Sequence, residues 1–207
     1  MRFTRNLTLM IVGWVIFLPS IVYAIPIPTI TLDVPDEILV GEQFTFTVTL
    51  DNTDTADTGY QPFIDVILPR AGIDSTSAGG TVDGITFVDA TYFGISVDVV
   101  ELTFPASGCV GHPLLRDTAL QTVPVCDSDE NSLIVLQLPL AAMSPDQPPA
   151  EVTITAAVSE FADLNNALTI QARGGFARGQ DALDNPCCDP FLVSAFAGDP
   201  IVPVVMT

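Results

Sequence analysis

Three clusters of oxygen-rich side chains and four cysteines are the residues most able to do chemistry in this chain. The clusters are Asp51, Asn52, Asp54 and Asp57; Asp127, Asp129, Glu130 and Asn131; and Asp181, Asp184, Asn185 and Asp189. Calcium takes six to eight hard oxygen ligands from carboxylates and carbonyls, so each cluster is a candidate calcium site. None follows the EF-hand loop, which needs a central Gly and a terminal Glu. The competing reading is solvated loop acids: Asp outnumbers Glu 19 to 6, and Asp favours turns because it bonds its own backbone. Cofactors are otherwise not expected.

The cysteines are Cys109, Cys126, Cys187 and Cys188. An even count in an exported chain points to disulfides, and four cysteines allow three connectivities. Cys109–Cys126 is preferred because it closes an irregular loop with little core of its own. Cys187 and Cys188 would then be a vicinal bridge or two thiols. The other connectivities tie the 104–131 loop to the 181–190 turn. Zinc needs four N or S ligands at short paired spacings, and His112 near Cys109 is the sole approach to that.

Catalytic motifs are thin. Asp57-Thr58-Gly59 matches the aspartic-protease tripeptide, but that chemistry needs two facing carboxylates. No second copy exists, and this one sits in a polar loop, so it reads as a turn. His112 is the only His, no Gly-x-Ser-x-Gly elbow accompanies it, and a structural role is expected. Paired acids for glycoside hydrolysis would lack an aromatic platform, because Trp14 is the only Trp. No enzyme is expected. Arg173-Gly174-Gly175-Phe176-Ala177-Arg178-Gly179 resembles an RNA-binding element, yet one copy in so acidic a chain reads as a Gly-rich turn with its Arg paired to Asp181 or Asp184.

Charge and composition narrow the classes further. The 207 residues hold 25 Asp+Glu and six cations, all Arg, for a net charge of −19. Nucleic-acid backbones need clustered cations, so no nucleic-acid partner is expected. Without lysine there is no Schiff base, phosphate-loop lysine or Lys–Asn isopeptide bond. A hydrophobic fraction of 48% is too high for a disordered chain.

Residues 1–24 read as a secretory signal peptide: Arg2 and Arg5, then an apolar run from Leu7 to Leu18, then Val22-Tyr23-Ala24 before the cut. Its removal takes two Arg and no acid, leaving −21. No second apolar run approaches membrane-spanning length, so no stable membrane insertion is expected after cleavage. Secretion, or display at a cell surface as part of a longer chain, is the expected location.

The elements that must position these residues are strands. In Gly41 to Asn52, Phe44, Phe46, Val48 and Leu50 share one face and Thr45, Thr47 and Thr49 the other. Such alternation marks a half-buried strand. Further strands are expected at Thr29–Val34, Phe63–Leu68, Thr81–Val88, Ile95–Phe104, Leu133–Leu138, Glu151–Val158, Leu168–Ala172, Phe191–Ala197 and Ile201–Val205. In Ile95–Phe104 the apolar phase switches by one residue after Val99, as a β-bulge or burial on both faces would produce. Leu133–Leu138 is apolar on both faces and reads as a central strand. Ser144 to Gln147 looks like a capping box stopped by Pro148, hence a turn, and Ser159 to Asn166 has room for one helical turn. The expected fold is all-β: an antiparallel immunoglobulin-like β-sandwich of about nine strands over residues 25–207, with a long irregular insertion near 104–131.

The stretch Pro28 to Gly72 resembles the conserved-repeat immunoglobulin-like domains of bacterial cell-surface proteins. The carrying segments are ITLDVP, VGEQFTFTVTLDNT and FIDVILPRAG. In that family a Val-Gly-x-x-Phe-Thr-Tyr/Phe-x-Val strand leads to Asn-Thr and then to a strand ending Leu-Pro-x-Gly. Val40-Gly41, Phe44-Thr45-Phe46, Asn52-Thr53 and Leu68-Pro69 match it, with the last Gly displaced to Gly72. More loosely, LTIQARGGFARGQDALDNPCCDP is similar to a segment near the start of long bacterial exported proteins. The resemblance implies a sandwich of seven or more strands serving as stalk, spacer or adhesion module, and supplies no catalytic residues. Val204 to Thr207 reads as the start of a strand, so the chain is expected to be the N-terminal part of a larger surface protein. The alternative is a free-standing secreted binding protein whose acidic loops hold calcium or a cationic partner.

Overall fold

The computed structural model describes residues 27–53, 55, 57–70, 82–116, 121–127, 130–179, 195–197 and 201–207. The expected signal peptide lies outside them. So do Asp54, Asp129, Asp181, Asp184 and Asp189, and Cys187 and Cys188.

Strands, and no helix, make up the regular structure of the described residues. They are β1 (Thr29–Asp33), β2 (Glu37–Ile38), β3 (Gln43–Asp51), β4 (Gly59–Tyr60), β5 (Pro62–Leu68), β6 (Ile85–Tyr92), β7 (Ile95–Ser96), β8 (Asp98–Thr103), β9 (Cys109–Arg116), β10 (Thr122–Cys126), β11 (Ser132–Gln137), β12 (Ala142–Met143), β13 (Ala150–Val158), β14 (Ala167–Phe176), β15 (Ala195–Ala197) and β16 (Ile201–Met206). A first sheet runs β1-β3-β13-β6-β7. A second runs β2-β16-β14-β5-β11-β8, with β15 also on β14. All pairings are antiparallel except β2 with β16. Two hairpin-like pairs, β9–β10 and β4–β12, lie apart from these sheets.

Period-two patterning explains how the sheets face each other. Phe46, Val48 and Leu50 of β3 and Val152, Ile154, Ala156 and Val158 of β13 point inward from the first sheet. Ile64, Val66 and Leu68 of β5, Ile134 and Leu136 of β11, and Leu168, Ile170 and Ala172 of β14 point back from the second. These side chains form one continuous core. The sheets pack tightly at Gly174. A Cβ there would sit 2.6 Å from Ile30 Cδ1 and 2.9 Å from the Phe63 carbonyl oxygen, so only glycine fits the approach.

Sequence and structure part in four places. The strand expected at Thr81–Val88 is displaced to Ile85–Tyr92. The bulged strand expected at Ile95–Phe104 is two strands in different sheets: β7 pairs with β6, and β8 pairs with β11. Buried Val97 is the crossing point, so the apolar phase switch records a change of sheet. The Gly-rich turn expected at Arg173–Gly179 begins inside β14, and only Ala177 to Gly179 turn. The irregular insertion near 104–131 contains the β9–β10 hairpin. Its Pro113, Pro124, Gly108 and Gly111 mask any alternation, although Leu115 and Val125 are buried beneath it.

That hairpin makes the molecule three layers deep. It lies over the outer face of the second sheet, where Ile67, Leu133 and Val135 pack with Phe104 and Val125, and Phe63 packs with Leu115 and Ala177. Hence β5 is buried at every position and β11 at all but its last. The two-faced apolarity of Leu133–Leu138 has this cause.

Candidate functional site

One outward position of β5 breaks the apolar pattern. Phe63, Asp65 and Ile67 all point under the hairpin, and Asp65 is fully buried. An isolated carboxylate there would be very costly, so it must be paired and hydrogen-bonded. Arg173 stands directly opposite on β14, and its Nε donates to Asp65 Oδ2 at 2.9 Å. From the hairpin above, His112 Nε2 meets Asp65 Oδ1 at 2.9 Å. His112 is fully buried too, and its ring lies 5.3 Å from that of Phe63.

The far side of the imidazole settles its tautomer. Nδ1 accepts from the backbone N–H of Leu114 at 3.1 Å and of Leu115 at 2.9 Å. It is therefore an acceptor, and the ring proton resides on Nε2, donated to Asp65. Imidazole beside carboxylate is half of a hydrolase triad, but here the nitrogen that would serve a nucleophile is given to the backbone. The cluster clamps the hairpin to the sheet, with both imidazole nitrogens engaged by the protein itself. Reading His112 as structural agrees with this geometry.

Beside the clamp, Arg116 holds the end of the hairpin, and Arg178 lies next to it. Arg116 Nη1 donates to the carbonyls of His112 (3.1 Å) and Leu115 (2.8 Å). Arg178 Nε donates to Gln61 Oε1 at 3.1 Å. With Pro113, Leu114 and Ala177 these residues line an open recess of about 210 Å³. At the opposite end of the hairpin, Cys109 and Cys126 are disulfide-bonded and directly paired across the two strands.

The acidic clusters come out differently. Asn52 is fully buried, and its Nδ2 donates to the carbonyls of Met143 (2.8 Å) and Asp57 (3.1 Å). Its Oδ1 accepts from the Thr55 hydroxyl at 2.8 Å. Asp51 Oδ1 accepts the Thr53 N–H at 2.8 Å, a local turn. Asp51 and Asn52 of the first cluster thus tie down their own loop. In the second, Asp127 Oδ1 accepts from Asn131 Nδ2 at 2.9 Å, and exposed Glu130 has a left-handed backbone. Among the described residues no three His, Cys, Asp or Glu converge on a metal-sized space. Gly59, last of the protease-like tripeptide, lies against the Phe176 ring so closely that a Cβ would collide with it; its glycine is a packing requirement. Among the described residues no helix is long and apolar enough to cross a membrane.

Asp65 was not singled out by sequence reasoning, and Arg173, expected to pair in a Gly-rich turn with Asp181 or Asp184, meets Asp65 instead. The usable signal was a lone acid inside the apolar strand Phe63-Ile-Asp-Val-Ile-Leu68, which demands a buried partner.

Comparison with solved structures supports the architecture. A cohesin module from a Clostridium perfringens family 33 glycoside hydrolase is 10% identical, over 87% of this chain and 97% of that one, with a TM-score of 0.50. That likeness shows a shared β-sandwich fold. AvmM, which catalyses macrocyclization in alchivemycin A biosynthesis, is 12% identical over 87% and 89% of the two chains (TM-score 0.47). A fragment of the major pilin GBS80 of Streptococcus agalactiae is 12% identical over 86% of this chain and 55% of that fragment (TM-score 0.39). No family model matches the sequence, and no curated protein does.

Proposed function

We propose that this chain is a non-catalytic, exported interaction module of a bacterial surface, the leading part of a longer stalk or adhesin. The carrying observation is the clamp. The one imidazole of the chain spends both nitrogens on structure, and the described cations at the recess donate to the protein's own carbonyls and amide. Among the described residues this leaves the surface for function, on an acidic sandwich of a fold shared with a cohesin module. The signal-like N-terminus, the disulfide and the resemblance of residues 28–72 to surface-protein repeats support export.

The test has two arms. The chain expressed with its own leader is expected outside the cytoplasm, beginning at Ile25, with no free thiol at Cys109 or Cys126. Beads coated with that product are expected to bind envelopes of the source cells above albumin-coated beads. Retention in the cytoplasm with reduced cysteines, or binding no better than albumin, would overturn the reading.

A further inference from the structure

The β6–β7 hairpin ends in a two-residue turn at Phe93-Gly94, since Tyr92 pairs with Ile95 and Thr91 with Ser96. Both turn residues have positive φ, +50° at Phe93 and +74° at Gly94, the combination that defines a type I′ turn. Asn, Asp or Gly is favoured at its first position, and a bulky residue with positive φ is a genuine outlier. The strain secures no burial. Phe93 is 82% exposed and Ile95 65%. The Tyr92 and Phe93 rings lie 4.4 Å apart, and Tyr92 is braced against the core. A strained, solvent-facing Phe93 beside exposed Ile95, braced by half-buried Tyr92, is a costly way to make a turn that Asn-Gly would make freely. Such outliers point to function.

Charge says what the knob meets. Exposed Asp89 precedes the tip on β6, and exposed Asp98 follows it at the start of β8, where the chain has crossed to the second sheet. No Lys or Arg occurs between Arg70 and Arg116. A second copy would bring like charge against like, and anionic lipid would be repelled in the same way.

We infer that the Tyr92-Phe93-Ile95 tip is the docking knob of this module, and that its partner is a protein offering an apolar pocket rimmed by Lys or Arg. This rests on the reading of the chain as an interaction module and names the surface it would use. Phe93 fills the pocket as the anchoring aromatic, while Asp89 and Asp98 steer the approach.

The experiment uses the secreted chain with benzoyl-phenylalanine at position 93, irradiated on envelopes of the source cells. The cross-linked protein is then purified and titrated with wild type, Phe93→Asn and Asp89→Asn/Asp98→Asn. Expected are a weakening of roughly 30-fold or more for Phe93→Asn and a slower, less salt-sensitive association for the double variant. Because Asn suits the turn, Phe93→Asn should melt at or above wild type, so lost binding cannot be lost folding. Cross-links to lipid, to a second copy or to nothing overturn the inference, as does equal affinity of the purified partner for Phe93→Asn. If coated beads bind envelopes and Phe93→Asn beads bind equally well, the knob fails while the module reading stands. If wild-type beads do not bind, that reading fails first.

Discussion

The two faces of the second sheet are stabilised in opposite ways. Its inner face meets the first sheet through one continuous apolar core, with Val48, Leu50, Ile64, Val66, Ile134 and Leu136 all buried. Its outer face meets the β9–β10 hairpin through two small apolar clusters, a buried ionic clamp and a disulfide. A broad sheet can supply area, and area stabilises at about 25 cal/mol per Å². A two-stranded hairpin is marginal by itself, so it is fixed by specific bonds. The inner face should therefore tolerate changes of shape that conserve volume, whereas the outer face should fail when one partner is removed.

Removing one partner from the clamp should have the largest effect. Asp65→Ala leaves Arg173 without its buried carboxylate and His112 without its acceptor; a loss of about 3–5 kcal/mol is expected in urea titrations. The triple replacement Asp65→Leu, His112→Leu, Arg173→Met should recover most of that loss, because an apolar substitute for a buried ionic cluster is often neutral or better. No recovery would mean that the clamp contributes net energy beyond satisfying itself. On the inner face, Leu136→Ala should cost about 2–5 kcal/mol through the cavity it leaves, while Leu136→Met should cost less than about 1.5 kcal/mol; equal losses from both would erase the contrast between the faces.

Smaller effects sharpen the comparison. Cys109→Ser/Cys126→Ser frees a loop worth about 3 kcal/mol in the chain-entropy model. Amide exchange should accelerate first at Leu114 and Leu115, whose N–H groups meet His112, and least at Val152 and Ile154. Uniform acceleration would show that hairpin and sandwich open as one unit. Gly174→Ala should cost about 1–3 kcal/mol by overpacking against Ile30 and Leu50, read as a lower melting temperature with an unchanged m-value. Phe93→Asn should be the mildest, neutral or stabilising by up to about 1 kcal/mol.

What the sequence made legible follows the same division. Alternation in Phe44 to Leu50 and Val152 to Val158 is a direct image of a half-buried sheet, and both strands lie where the pattern puts them. Cys109–Cys126, preferred among three connectivities because it closes an irregular loop, is the disulfide found. The hairpin between those cysteines was not, because its hold on the sheet is made by bonds rather than by a periodic face. Asp65 and Arg173 are 108 residues apart in sequence, and no local pattern carries such a contact. The phase switch after Val99 was seen, but a switch of face and a switch of sheet leave the same trace. Nor could composition show that Asn52, in the same loop as Asp51 and Asp57, is buried and bonded to the Met143 carbonyl.

The β16 strand carries a consequence for how the molecule comes into being. It lies between β14 and β2, so β2 joins the second sheet only through it. Val205 and Met206 pair with Glu37 and Ile38, and the N–H groups of Val40 and Thr207 reach the Thr207 and Ile38 carbonyls. Contacts between such distant residues slow folding, because the intervening loop must close before they form. A chain made from its N-terminus has β2 in place long before its β16 neighbour arrives. The second sheet thus stays incomplete until β16 docks, so its closure falls late in folding.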